Sequence, residues 1–568
     1  MKPKLLTIIV IILGGLLFSF TSLKSGQTYD FGLGFWGPHG HDSVWHLSLI
    51  NQFSRGIPLQ NPIFSNTILN NYHWGFDLFA YLVSKILPLN LLDIYFRIIP
   101  IFFSLLIGAL SYWLVYKITK NRLTSTIFVF LNYFAGSFGW IYTILKNGQL
   151  GGESLFWSMQ SISALINPPY ALSIIMVFAG LILWLSKRNN NQPFWAITIG
   201  IIFGLLTGVK IYAAIIFGLS FSLFFIWQFI KTKKILLFDF LLCATFGLIS
   251  ITIMSCLGVF SQKSLISFQP LWFAHSLIES QDKLFLPKLA GFRYNLSFQL
   301  LSYKLPIFLI IEIFLLAIFL IGNLGTRILG LSNITQKIKT KKNTPTDNLL
   351  YLTMLVSMLI PTLFIQKGTA WNTIQFFYYF LLFFNLYFAI TLTSVFQKSK
   401  LLFFIILIIT VPTTIGTLKD YFGYPPPSSL PSDEVQALNF LKSQPYGTVL
   451  TYPYDKNKKS NVSTPIPLYL YETTAYVSAF SGQPTFLADE MNLEITGYNW
   501  QKRRQESLAF FDQDYDQRFK NRDFLVNNQI TYVYLVGYQK SDSRLSYWTM
   551  QLDKIFENQS TILYKVRR

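Results

Sequence analysis

Long apolar runs follow one another from the N-terminus to about residue 420, and beyond it the chain patterns like a soluble domain. A membrane-spanning helix needs roughly 20 largely apolar residues. Such runs lie at 5–21, 95–116, 123–145, 168–186, 193–209, 213–230, 235–257, 305–323, 349–366, 374–396 and 401–418, so about eleven spans are expected. Short basic clusters punctuate them. Lys2 and Lys4 precede the first span; Lys117, Lys120 and Arg122 follow the second; Lys187 and Arg188 follow the fourth. Lys231, Lys233 and Lys234 follow the sixth, Arg327, Lys337, Lys339, Lys341 and Lys342 the eighth, and Lys398 and Lys400 the tenth. All fall on one side of the membrane, and an excess of Lys and Arg marks that side as the cytoplasm. The N-terminus is then cytoplasmic, and the loops 22–94, 146–167 and 258–304 are extracytoplasmic, as is the C-terminal domain. The parity depends on two short spans within 193–230.

Residues 1–420 are therefore read as one transmembrane domain. FGYPPPSSLP marks a proline-rich linker over 421–430, and 431–568 reads as a soluble extracytoplasmic α/β domain. SDEVQALNFLKSQ predicts a helix with Ser432 as its N-cap and acids in its first turn. GTVLTYP, TAYVSAF, ITYVYLV and TILYKV predict strands, and NWQKRRQESLAFF another helix. Strands alternating with helices suggest a small layered domain. It contains no glycine-rich phosphate loop, no GxSxG and no zinc-ligand spacing.

Composition agrees. The 568 residues are 52% hydrophobic and only 13% charged, against about 25% charged in a soluble protein. A net charge of +20 does not indicate nucleic acid, because the basic residues sit in the short clusters between apolar runs. The two cysteines, Cys243 and Cys256, share one apolar run and form no disulfide framework. The basic-then-apolar N-terminus lacks a clean small-x-small cleavage site, so it reads as an uncleaved first span.

Ionisable chemistry gathers in the first loop. HGHDSVWH (39–46) and NNYHWGFD (70–77) hold four of the five histidines. The loop exceeds the roughly 12–15 residues of a simple connector. DSVWHLSLINQFSRG and HWGFDLFAYLVSKILPL have apolar residues at helical spacing and are expected as amphipathic helices at the membrane surface. Asp42 would be the N-cap of the first, which leaves two readings, a plain cap or a catalytic carboxylate.

An Asp early in the first external loop, followed by an aromatic residue and His, with surface helices and many spans behind it, resembles the GT-C superfamily of membrane glycosyltransferases. These include oligosaccharyltransferases, protein O-mannosyltransferases and aminoarabinose transferases. GHDSVWHLSLINQFSRGIPLQNPIF…NNYHWGFD is also similar to bacterial members of the group. In sequence the resemblance is confined mainly to residues 38–80. It implies a GT-C-like membrane domain and an inverting transfer of sugar from a polyprenyl-phosphate carrier. It also implies a first-loop carboxylate, here Asp42, that is catalytic or binds metal. No second acid directly follows Asp42, unlike the acidic pair of several such families.

The residue type suits the chemistry. A carboxylate can take the proton of an acceptor hydroxyl while a phosphate leaves, and the leaving phosphate needs positive charge or a metal. Asp42, His41 and His46 are the candidate ligands for a divalent Mg, Mn or Zn ion. Lys210, in LLTGVKIYAAII, is a candidate grip on the donor phosphate or a snorkelling lysine. His46, His73 and Glu153 are further candidates for substrate contact. So are Trp371, Asn372 and Gln375, in an aromatic-rich membrane edge, and Arg503 and Arg504, which otherwise form a solvated helix face. The expected partners are a polyprenyl-phosphate sugar, a glycan, lipid or protein acceptor, and the bilayer; the expected location is the plasma membrane. Two rivals remain: a transporter or flippase of lipid-linked glycans, for which Asp239 and Glu312 are the intramembrane acids, and a non-catalytic glycan-binding assembly protein.

Overall fold

The computed structural model describes residues 3–190, 192–259, 266–298, 304–512, 518–542 and 552–567. The chain forms two compact units. One comprises Met1–Phe20, Pro100–Cys256 and Lys263–Phe422; the other comprises Thr21–Ile99, Leu257–Gln262 and Gly423–Arg568. The first loop thus belongs with the C-terminal region, not with the spans that flank it in sequence.

The first unit is helical. Among the described residues, eight helices are long and apolar enough to cross a membrane, or up to ten if each of two bent pairs is one span, and Pro193–Val209 is a shorter apolar helix. The bent pairs are Arg122–Phe134 with Gly139–Asn147, at 43°, and Lys400–Thr410 with Pro412–Phe422, at 42°. Each break frees backbone groups that lipid cannot satisfy, and the two breaks satisfy one another. Gly136 N–H donates to Thr410 O at 2.9 Å, Thr413 Oγ1 to Ser137 O at 2.9 Å, and Thr414 Oγ1 to Phe134 O at 3.0 Å. The Thr413 side chain leaves no room for a Cβ at position 136, which would lie 2.8 Å from Thr413 Cβ.

Arg327 closes the same region. It is 0% exposed and donates to Leu324 O, Gly136 O, Asn323 O and the Gln160 side chain. In sequence it lies in the basic cluster after the eighth span; its burial separates it from that cluster, which keeps its lysines. The eighth span runs as far as Lys339. Lys210 is the single residue between the helices Pro193–Val209 and Ile211–Thr232, so 193–230 does hold two helices.

The second unit carries two sheets. One joins Gln27–Tyr29, Gly32–Phe35, Ser428–Leu430 and Ile466–Pro467, in that order. Leu33 pairs with Leu430 and Phe35 with Ser428, so the proline-rich stretch ends in a strand that holds the first loop. The other sheet has the order Thr448–Thr451, Ile530–Val536, Thr561–Val566, Leu552–Glu557, with its first pair parallel and the rest antiparallel. Three expectations need correction. TAYVSAF is not a strand: Tyr476–Ser481 is a helix. The helix Ser432–Ser443 begins at Ser432, with Pro431 as the residue before it. The first-loop helix Asp42–Gln52 is not a half-exposed surface helix, since every residue from Ser43 to Ile50 is buried. Asn51 Nδ2 ties it to Ala479 O at 2.6 Å. Apolar spacing shows that a helix buries one face; it cannot show that another part of the chain buries the other.

Candidate active site

The site is built where strand Gly32–Phe35 turns into helix Asp42–Gln52 through a single 3-10 turn, Gly37–Gly40. Pro38 opens the turn, a place where its missing N–H costs nothing. A Cβ on Gly40 would lie 2.3 Å from Ser428 Oγ, so the turn packs closely against its neighbouring strand and a larger residue would have to move that hydroxyl. His39 points inward and shares a 2.7 Å hydrogen bond with Ser25 Oγ. Burial pushes its pKa down to about 4, which keeps it neutral and structural.

The turn delivers His41 as the residue before the helix and Asp42 as its first residue. Asp42 is therefore not the N-cap, and no side-chain cap bond forms there. Its carboxylate instead meets His41: Nδ1 donates to Asp42 Oδ1 at 2.9 Å. The other ring nitrogen, Nε2, donates to Asp489 Oδ1 at 3.2 Å. The three side chains run from outside to inside, with Asp42 55% exposed, His41 8% and Asp489 0%. Burial disfavours a charged His41. The Asp489 charge, then the hydrogen bonds of both acids, outweigh it and hold its pKa well above the usual histidine value. An imidazolium thus lies between an exposed and a buried carboxylate.

Asp489 was not picked out from the sequence. It caps the helix Glu490–Thr496 from a left-handed backbone conformation, φ 46°, accepting from Asn492 N–H at 3.2 Å and Asn492 Nδ2 at 2.7 Å. Asp is among the few residues that tolerate this conformation. The segment before it runs beside the first loop. Thr485 N–H donates to Pro62 O, Ser65 N–H to Thr485 O and Ala488 N–H to Ile63 O, at 2.9, 2.9 and 3.0 Å. The faint signal available was an acid-rich ADEMN next to a turn.

The remaining candidates of this unit stand elsewhere. His46 shares a 2.7 Å hydrogen bond with Asp77 Oδ1, both fully buried, and so joins the helices Asp42–Gln52 and Gly75–Ile86. Burial raises the Asp77 carboxyl, with His46 opposing. His73 is half-buried, its ring 4.9 Å from Tyr72. Arg503 is no solvated helix face. It donates to Phe486 O at 2.7 Å and Ser65 O at 3.0 Å and lies 3.6 Å over the Phe64 ring, clamping the two segments that carry Asp489 and the first loop. Arg504 pairs with Glu490 and donates to Tyr454 O at 2.8 Å. Both guanidinium groups are engaged by protein acceptors.

The metal set Asp42, His41 and His46 is not assembled. His41 turns both nitrogens to carboxylates, and His46 is bound to Asp77. Among the described residues no three His, Cys, Asp or Glu side chains group as metal ligands.

In the first unit, Lys210 is 3% exposed, with Nζ 3.2 Å from Asn167 Oδ1, so it does not snorkel. Glu153 accepts from Gln160 N–H at 2.5 Å and Thr417 Oγ1 at 2.6 Å. Trp371 is exposed, and a relay of amides links Gln366, Asn372 and Gln375.

Together these features define a multi-pass membrane protein whose first loop folds with its C-terminal strands to present an exposed carboxylate. The fold is the GT-C fold. Its solved neighbours include the oligosaccharyltransferase of Archaeoglobus fulgidus, in a structure tethered to an acceptor peptide containing the NVT sequon via a disulfide. That match has a TM-score of 0.53 and 12% identity, covering 99% of this chain and 74% of that one. The apo form of the same enzyme matches at a TM-score of 0.52 and 13% identity, covering 93% and 69%. No protein-family profile matches the sequence, and no curated protein does.

Proposed function

We propose that this protein is a membrane glycosyltransferase that moves a sugar from a polyprenyl-phosphate donor to an extracytoplasmic acceptor, with inversion at the anomeric carbon. The observation that carries the reading is the Asp42–His41–Asp489 line, an exposed carboxylate oriented from behind, in a chain with the GT-C fold. The acceptor oxygen attacks the anomeric carbon, the bond from that carbon to the phosphate oxygen breaks, and polyprenyl phosphate leaves with the electron pair. Asp42 takes the hydroxyl proton. Asp489 keeps His41 charged, and His41 fixes the Asp42 carboxylate and supplies positive charge beside it. A second acid is unnecessary, because phosphate leaves without protonation, unlike the leaving group of a glycoside hydrolase.

Lys210 is the candidate point charge for the donor phosphate. Trp371, Asn372, Gln375 and Glu153 are candidate sugar or lipid-head contacts. A divalent ion, if used, would engage Asp42 and displace His41 from it. The acceptor is a glycan, a lipid or, as in the archaeal neighbour, a peptide. The N-terminus is placed in the cytoplasm and the second unit outside, on the distribution of lysines.

The transporter reading is disfavoured by pairing of the intramembrane acids. Asp239 is bound by Arg188 at 3.0 Å, and Glu312 by His275 at 2.5 Å and Arg293 at 2.7 Å. The test is release of polyprenyl phosphate by the purified protein from a panel of polyprenyl-phosphate sugars, with and without chelator. Donor-specific release supports the transferase; ATP- or gradient-dependent movement of intact lipid-linked glycan across vesicles, without release, contradicts it.

A further inference from the structure

Lys210 is held in place by a residue that was not picked out from the sequence. Asn167 precedes the helix Pro168–Lys187, and Lys210 separates Pro193–Val209 from Ile211–Thr232. The helices of 20 and 17 residues between them carry the chain away and back, so residue 210 returns to the edge that holds residue 167. The stem of Lys210 is buried, and its ammonium ends on Asn167, which is half-buried.

Asn167 makes two contacts with one oxygen. Pro168 and Pro169 have no N–H, so Tyr170 carries the first donor of the helix, and it donates to Asn167 Oδ1 at 3.1 Å. Lys210 Nζ donates to the same oxygen at 3.2 Å. An amide oxygen has two lone pairs, one for each donor. The helix backbone thus fixes the amide, and the amide fixes the ammonium. The Tyr212 ring centroid lies 5.3 Å from Nζ, and that ring meets Phe376 edge-on at 4.9 Å. Phe376 follows Gln375, so this aromatic pair leads from the ammonium to the end of the amide relay of Gln366, Asn372 and Gln375.

Capping alone does not call for an amide at 167. Asp caps a helix as well as Asn, and its charge would also suit the helix dipole. A carboxylate would, however, cancel the charge of the lysine. An amide oxygen and an aromatic face each hold an ammonium and leave it positive. We propose that Asn167 is the positioning residue for Lys210, aiming its ammonium at the phosphate of a prenyl-phosphate lipid. Lysine binds phosphate as a point charge, so its placement decides the grip. Naming that lipid as the sugar donor rests on the transferase reading; the grip on its phosphate does not.

Isothermal titration of the full-length protein in detergent with farnesyl phosphate tests this, with inorganic phosphate as competitor. The account expects saturable binding by wild type that inorganic phosphate at equal concentration does not displace. Asn167→Asp keeps the cap and the melting temperature, and weakens binding by at least about tenfold, the scale of one charge-assisted contact. Lys210→Met weakens it to a similar degree, and adding Asn167→Asp to Lys210→Met changes little more. Wild-type binding in Asn167→Asp, which a cap alone predicts, overturns the proposal. So does a full further loss in the double variant, no binding by wild type, or displacement by equal inorganic phosphate. Should Asn167→Asp not fold, Asn167→Ser, a cap too short to hold Nζ, must weaken binding in its place. Transfer assays separate this role from the transferase reading. No transfer from any donor, with binding that still follows Asn167, strikes the transferase and leaves the positioning role; transfer with a wild-type donor KM in Asn167→Asp does the reverse.

Discussion

His41 Nε2 lies 3.2 Å from the carboxylate of Asp489, 448 residues further along the chain. That contact ties the first loop to the C-terminal region and sets the charge behind Asp42. The three residues should therefore act as one unit. Asp42→Asn is expected to lower turnover by about 10²–10⁴-fold, the usual range for a positioned base. Asp489→Asn and His41→Gln should each cost about tenfold or more, and the double variant little beyond the worse single one. A double-mutant cycle on kcat reads this; simple additivity would uncouple Asp489 from the site.

Glu434 is fully buried, 3.0 Å from the Tyr534 hydroxyl, and burial pushes its pKa up to about 8. A carboxyl raised on folding binds its proton more tightly in the native state. Its contribution is complete below about pH 4.5 and is lost as pH rises towards 8. Melting temperature should fall across that window, and Glu434→Gln should flatten the profile. An unchanged slope in the variant would assign the pH dependence to another group.

Arg327 donates to four acceptors, one of them Gly136 O in the break between Arg122–Phe134 and Gly139–Asn147. Arg327→Met strands those acceptors and the Glu153 charge, and should cost about 3–5 kcal/mol. Thermal unfolding in detergent reads the loss. A wild-type melting temperature would mean that the break at Gly136 holds without the guanidinium.

The His46–Asp77 pair is fully buried and lies outside the reactive line. Asp77→Asn should destabilise by about 1–3 kcal/mol and leave kcat per folded molecule unchanged. A fall in kcat with normal stability would return His46 to the site.

The spans were legible because apolar runs and lysine clusters are local signals. The bends at residues 135–138 and 411 were not, because they rest on Thr410, Thr413 and Thr414 answering the other helix's backbone. Asp42 and His41 could be found in sequence, since the loop concentrates ionisable groups. Asp489 could not, because its role depends on a left-handed backbone and on pairing between 62–65 and 485–488. The same distance effect misled the reading of Arg503, whose acceptors Ser65 and Phe486 come from both sides of that pairing.

The central claim is most directly tested by comparing wild type with Asp42→Asn on polyprenyl-phosphate sugars, after matched melting temperatures show that both are folded. The account predicts release of polyprenyl phosphate by wild type and a loss of at least about 10²-fold in the variant. Equal release by the two proteins would contradict it and remove Asp42 from the mechanism.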